Sequence, residues 1–399
     1  MTSCFLQCSL VFPERNHLIK DHSDEECLIS DEQKLNNLEE DEDFHIYRCI
    51  ISLPRIRRGL SKLKRRACDV CTSKACRKCV RCTCLSIFTI IFVIAITLFV
   101  ALPLVFKISI GLQRSLIFHP VTQPSFMYYT IPRSHERGYC KEEYSNTHVI
   151  VNKKNHISLG VWNITCSELS TKNFSKPTLM IFHNEDGDRA RYTDGYRALR
   201  NYFNVITFDY RSYGDSSVAE LNEKGLVEDS VSLYKWLLNN NSNADLFVMG
   251  EKLGAAIATH VVSKLKDENI FPPGLILINP FTSLSDQIQE WFWPLGKIMW
   301  WMPWYDSMIT EPLQQNDLAF NTNKYITQID GPIMITRWYR NKLAKDVALA
   351  ASNRDTTSEG MVSIYETWWN LRDDNNYYRL DFSGFIEDCM NFKKNKGNI

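Results

Sequence analysis

No histidine occurs after His260 in this 399-residue chain. That absence excludes an imidazole general base from the last third of the sequence. An excess of positive charge is lacking too. Lys plus Arg and Asp plus Glu both number 46, which excludes a chain that is basic throughout and built to hold nucleic acid. No internal repeat or low-complexity tract appears, which excludes a repeat array. Between Leu85 and Phe106 lie 22 residues without a charge. Cysteine is scarce beyond that run. Only Cys140, Cys166 and Cys389 follow it, enough for one disulfide and one spare thiol, with the pairing open.

The uncharged run is long. At about 1.5 Å per residue it extends roughly 33 Å, against a bilayer hydrocarbon core of about 30 Å. Arg81 and Lys107 bracket it, so a transmembrane helix is expected over 85–106. The run starts too late and is too long for a cleaved signal peptide. Residues 1–50 hold 12 acidic and 4 basic side chains, whereas 55–81 hold 11 Lys/Arg and one acid, Asp69. Basic residues just before a span favour a cytoplasmic N-terminus, which places 107–399 on the luminal side. Sequons at Asn163, Asn173 and Asn240 lie on that side and agree with it.

Residues 1–54 read as an acidic, disordered cytoplasmic tail. Residues 55–84 form a basic, cysteine-rich juxtamembrane segment. There Cys79, Cys82 and Cys84 are candidate S-acylation sites, because an acyl chain at those positions enters the adjacent leaflet. Two Cys-x-x-Cys pairs, Cys68/Cys71 and Cys76/Cys79, invite a zinc reading, but they lie closer together than paired zinc ligands usually do. Unmodified thiols are the third reading. The Lys/Arg around them suit anionic headgroups. No cofactor or metal is expected, and no nucleic-acid partner.

From 107 onward, short apolar runs alternate with amphipathic stretches. Strands are expected at Thr178–Phe182, Val205–Asp209, Leu246–Gly250, Gly274–Ile278, Ile333–Thr336 and Met361–Tyr365. Helices are expected over Gly225–Asn239 and Leu253–Lys266. This alternation predicts an α/β fold with a mostly parallel sheet and helices on both faces. Within it, Gly250-Glu251-Lys252-Leu253-Gly254 reads as strand, sharp turn, helix. Glycines on either side let strand and helix approach closely around a strained residue, here Lys252.

These segments bear a specific resemblance. Gly111-Leu-Gln-Arg-Ser-Leu-Ile-Phe118, Leu159-Gly-Val-Trp162, Val205-Ile-Thr-Phe-Asp-Tyr-Arg-Ser-Tyr-Gly-Asp-Ser216 and Pro272-Pro-Gly-Leu-Ile-Leu-Ile-Asn-Pro-Phe-Thr282 resemble the α/β-hydrolase-domain family. Within that family the chain is similar to the single-span lysophosphatidylserine and monoacylglycerol lipase branch, from about Pro103 to Phe392. The resemblance implies an α/β-hydrolase fold and an endoplasmic reticulum membrane protein with a luminal domain. It also implies a cap, at about 281–331.

The departures fall where the family keeps its catalytic residues. Lys252 stands at the nucleophile position. The stretch after the seventh strand, Thr336-Arg-Trp-Tyr-Arg340-Asn-Lys, has no carboxylate, and Arg340 or Tyr339 takes the acid's place. Asn375 aligns with the family's histidine. The glycine-rich oxyanion loop becomes His183-Asn184-Glu185-Asp186-Gly187. Two acids there would repel a developing oxyanion. A direct ion pair of Lys252 with Glu185 or Asp186, plugging the former oxyanion hole, would explain both changes together. Independent losses explain them equally well. His183 and His260 read as structural. Ser212 and Ser216, expected near the pocket, lack a neighbouring base.

The cap is dense in tryptophan. Trp291, Trp293, Trp300, Trp301 and Trp304 fall within 14 residues, with Phe292 and Tyr305 among them. Tryptophan favours the membrane interface, so a lid leaning on the bilayer and gating an acyl groove is expected. Plain packing of cap helices is the alternative. The sequence therefore points to a membrane-anchored α/β-hydrolase-fold pseudoenzyme that binds a lipid, such as a lysophospholipid or acylglycerol, or a protein partner. An active lysophospholipase or monoacylglycerol lipase is the second reading. An adaptor acting through its cytoplasmic tail is the third.

Overall fold

A computed structural model describes residues 74–120, 140–168, 176–190, 193–240, 245–354, 360–367 and 380–397. Expectations for the 1–54 tail, for Asn173 and for Asn375 lie outside the described residues. Two units are distinguished, 1–91 and 92–399. In the first, the described residues are helical and belong to α1 (Lys74–Ile96).

The second unit opens with the end of α1, a π-helical segment at Thr97–Ala101 and α2 (Leu102–Ile108). Pro103 sits in the first turn of α2. Its ring would crowd the carbonyl four residues earlier in a regular helix, and the wider π turn relieves that crowding. Among the described residues one stretch, Arg81–Ile108, is long and apolar enough to cross a membrane, and its most apolar 18 residues have a mean hydropathy of 2.9. Ser109 ends it in an extended conformation, and its Oγ accepts from Leu112 N to cap α3 (Ile110–Ile117).

The remaining elements in chain order are β1 (Cys140–Asn152), β2 (Ile157–Glu168), β3 (Thr178–Phe182), α4 (Thr193–Leu199), β4 (Asn204–Phe208), α5 (Glu223–Asn240), β5 (Leu246–Glu251) and α6 (Leu253–Asp267). After β6 (Leu275–Ile278) come the cap helices α7 (Leu284–Trp291), α8 (Leu295–Trp300), α9 (Glu311–Gln315) and α10 (Thr322–Ile326). The chain then runs through β7 (Ile333–Trp338), α11 (Lys342–Ser352), β8 (Val362–Thr367) and α12 (Phe382–Gly397).

The eight strands form one sheet in the order β1-β2-β4-β3-β5-β6-β7-β8. The pairs from β4 to β8 are parallel, and β1 and β2 join antiparallel at one edge. Each central strand serves two cores, because successive side chains leave opposite faces. Met180, Phe182, Val248 and Leu277 pack on one face with α5, α6 and the cap. Leu179, Ile181, Phe247 and Ile276 pack on the other with α4 and α12. This double burial explains why β3, β5 and β6 read as unbroken apolar runs.

The expected six strands are all present, each within two residues of its predicted bounds. The β1–β2 hairpin was not expected from the pattern. Among the described side chains of β1 between Tyr144 and Ile150, only Val149 is buried, so that strand carries no alternating apolar signal.

The run Phe208-Asp209-Tyr210-Arg211 through Ser216 is a structural clamp. Arg189, fully buried, donates from Nη1 to Asp209 Oδ2 and to Asp215 Oδ1, each at 2.6 Å. Arg211 makes a forked pair with Asp229, with both bonds at 2.7 Å, and also donates to Gly225 O. Ser216 Oγ accepts from Gly160 N and donates to Asp209 O. Together these bonds pin the β4–α5 loop to β2 and to α5.

Candidate active site

Lys252 sits where β5, at the middle of the sheet, turns into α6. Its φ is 48° and its ψ −107°, a conformation that non-glycine residues rarely hold. Neighbouring glycines make that turn feasible. A Cβ at Gly254 would lie 2.6 Å from His183 O and closer still to Phe182 O. A Cβ at Gly250 would collide with the backbone of Gly254 and Ala255. The strand-to-helix elbow is therefore intact, and an ammonium occupies its apex.

A cavity of about 370 Å³ opens above this elbow. It lies beyond the carboxyl ends of the parallel strands, where open α/β sheets hold their ligands. Lys252 and Glu185 supply its charges, Asn279, Gln287 and Asn341 its carboxamides, and Ile117, Leu253, Phe281, Leu284, Trp291 and Trp338 its apolar wall. Among the described residues, no hydroxyl, thiol or imidazole lines it.

The expected direct ion pair is not formed. Among the described residues no ion pair within 4.0 Å joins Lys252 to Glu185 or Asp186. Local bonds keep the acids away. Asp186 Oδ1 accepts from Asn184 Nδ2 at 2.9 Å, and the Glu185 carboxylate turns back on its own backbone amide. Burial raises the Glu185 carboxyl above the usual carboxylate range, while that amide and, at longer range, the Lys252 ammonium pull it down.

His183 is buried between Tyr210 and Tyr213, with ring centroids 4.0 Å and 5.2 Å away. Its Nδ1 bonds Asn184 O at 2.7 Å. Burial pushes its pKa down to about 4, against a smaller opposing effect of that bond. Between pH 6.5 and 4 the unfolded chain takes up a proton here that the folded chain refuses, so stability falls with pH. At about 1.4 kcal/mol per unit the loss is about 3 kcal/mol. His183→Phe keeps the ring stacking and removes that titration. Denaturant unfolding from pH 7 to 4 should show a shallower loss for the variant by about this amount, and parallel curves would refute it.

Other predicted residues fall away from the cavity. Arg340 is exposed and stacks on Tyr339 at 5.1 Å. A tight turn, Asn341 N to Trp338 O at 2.8 Å, carries it outward and brings Trp338 and Asn341 to the cavity instead. His260 bonds Glu223 Oε1 at 2.7 Å and stacks on Tyr325 at 3.7 Å. Ser212 exchanges hydrogen bonds with Ala219, and Ser216 belongs to the clamp. Neither serine lines the cavity. Asn163 on β2 and Asn240 at the end of α5 are exposed, as are Cys82 and Cys84 on α1. Cys79 falls on α1. Cys389 is buried with a free thiol, which burial pushes up.

Sequence reasoning did not single out Asn279, Gln287 or Asn341 for the cavity. Asn279 follows β6 with φ 46°, and its Oδ1 accepts from Trp338 N at 2.7 Å. Its place at a strand's carboxyl end is the signal that could have found it.

The sheet order, the elbow and the cavity above it define an α/β-hydrolase fold. A family profile described by that fold matches residues 205–326. Within that class the chain resembles lysophosphatidylserine lipases. It is 26% identical over 256 residues to lysophosphatidylserine lipase ABHD12 of Danio rerio, covering 60% of this chain and 64% of that one. It is 24% identical over 255 residues to the Rattus norvegicus protein of the same name, covering 59% and 62%. The match thus spans less than two thirds of these relatives' length. A Pyrococcus furiosus esterase structure aligns over 68% of this chain and 98% of its own, at 17% identity and a TM-score of 0.47.

Proposed function

We propose that this chain is a membrane-anchored α/β-hydrolase-fold pseudoenzyme that binds a lipid or a protein partner without hydrolysing esters. One observation carries the reading. The described walls of the cavity offer an ammonium at the elbow and no hydroxyl, thiol or imidazole beside it. Ester hydrolysis needs a nucleophile that departs again and a base to move its proton. A lysine that attacked an ester would end as an amide, which does not turn over. Binding needs less. An ammonium, carboxamides and apolar walls suit a charged or polar headgroup carried on an acyl chain.

The apolar stretch Arg81–Ile108 supports the anchor. Basic residues before it and sequons after it support a cytoplasmic N-terminus and a luminal domain, and the family resemblance implies the endoplasmic reticulum as the membrane. Glycosidase sensitivity of the wild type against Asn163→Gln and Asn240→Gln reads that orientation.

The purified full-length chain should resist a fluorophosphonate probe and leave lysophosphatidylserine and monoacylglycerol intact. Site-specific labelling, or turnover abolished by Lys252→Ala, would establish instead the second reading, an active lipase. The retained elbow and the names of its relatives favour that alternative. In the third reading, deleting residues 1–84 would release the chain's partners.

A further inference from the structure

A second cavity, of about 250 Å³, lies outside the candidate active site. One wall is Leu98, Leu102 and Phe106 of the apolar stretch. The opposite wall is Phe292, Leu295 and Met299 of the cap. The two polar side chains on it are turned to other partners: Tyr305 Oη donates to Ser285 O at 2.9 Å, and Gln289 Nε2 donates to Asp286 at 3.4 Å. The slot is therefore apolar throughout.

Depth identifies the occupant. Leu98 stands ten residues before Ile108, the end of the stretch, which is about 15 Å along a helix axis. That is half of the roughly 30 Å hydrocarbon core, or one leaflet. Beside the slot the cap exposes Trp293 at 64% and Trp301 at 80%, and such side chains settle at headgroup level. A helix is about 10–12 Å across and does not fit a slot this small. An extended hydrocarbon chain does, and sites of about 300–1,000 Å³ are usual for a whole ligand, so part of a lipid is accommodated.

We propose that this slot holds one acyl chain of a bilayer lipid, taken laterally from the luminal leaflet between the span and the cap. The inference rests on the membrane-anchored part of the function proposed above, and not on the absence of hydrolysis. The cap is then a wall of a lipid site at leaflet depth, with its tryptophans at the interface.

The test uses the full-length chain in phosphatidylcholine vesicles containing a lipid with a diazirine in its acyl tail, with photolabelled residues mapped by mass spectrometry. Label is expected on the cap at Phe292, Leu295 and Met299, as well as on the span at 85–96. Leu112→Trp, which fills the slot from α3, should lower cap labelling about tenfold, the worth of two methylenes kept out of it, while span labelling persists. Leu295→Trp should do the same from the opposite wall. Label on the span alone, or cap label unchanged in both filled variants, overturns the inference and leaves the anchor standing. Label on neither removes the anchor and the inference together. Ester turnover would remove the pseudoenzyme reading and leave this one intact.

Discussion

Arg189→Met should destabilise the α/β-hydrolase-fold domain by about 3–5 kcal/mol, the usual cost of breaking a buried ion pair from one side. The guanidinium is fully buried and holds Asp209 Oδ2 and Asp215 Oδ1 at 2.6 Å, with Asn146 Oδ1 at 3.0 Å. Methionine fills much of the space and restores no charge. Asp209, whose side chain is completely buried, would keep only part of its compensation, since Arg189 N still reaches its Oδ1 at 2.6 Å. The measurement is denaturant unfolding of the detergent-solubilised full-length chain, followed by tryptophan emission. Adding Asp209→Asn should recover a substantial part of the loss, because it removes the buried negative charge that the guanidinium had offset. A loss under about 1 kcal/mol, the range of an exposed pair, would show that the clamp contributes little.

That clamp marks the limit of what the sequence made visible. The apolar runs at Thr178–Phe182 and Leu246–Gly250 stood out because both faces of a central strand are buried, and burial on both faces leaves no polar alternation to confuse the reading. The elbow was visible because its geometry needs glycine at fixed spacing around Lys252. Arg189 lies in the loop after β3 while Asp209 and Asp215 lie together after β4, so they meet only when β3 and β4 pair side by side, and no local pattern reveals the contact. The same holds for the acyl slot, whose walls lie near residues 100 and 295. Charge signs in the oxyanion loop were legible, and their contacts were not. The Glu185 carboxyl is pulled down more by its own backbone amide than by the Lys252 ammonium, a balance that only the folded chain reveals.

Gly254→Ala should destabilise the domain even though alanine is the better helix former. Propensity alone would favour alanine by about 1 kcal/mol. Against this, the added methyl meets backbone on two sides, Phe182 O and His183 O, the second at 2.6 Å. A main-chain oxygen in a central strand cannot rotate aside, so α6 must lift from β3. Overpacking of this kind costs about 1–3 kcal/mol and occasionally more, and a clash with rigid backbone belongs at the upper end, leaving a net loss of about 2 kcal/mol or more. Lys252→Gly, two residues away, should act in the opposite direction. The lysine is held at φ 48°, a strain of about 1–3 kcal/mol that glycine escapes. Glycine's greater freedom in the unfolded chain returns about 0.5–1 kcal/mol of that. The pair of variants, compared by thermal unfolding in one buffer, separates a turn kept for its shape from a side chain kept for its charge. A stabilised Lys252→Gly chain that has also lost lipid binding would mean that the ammonium is retained at a cost to stability because the ligand requires it. If Lys252→Gly were as destabilising as Gly254→Ala, the lysine would be a structural part of the elbow, and its proposed role in holding a ligand would fail.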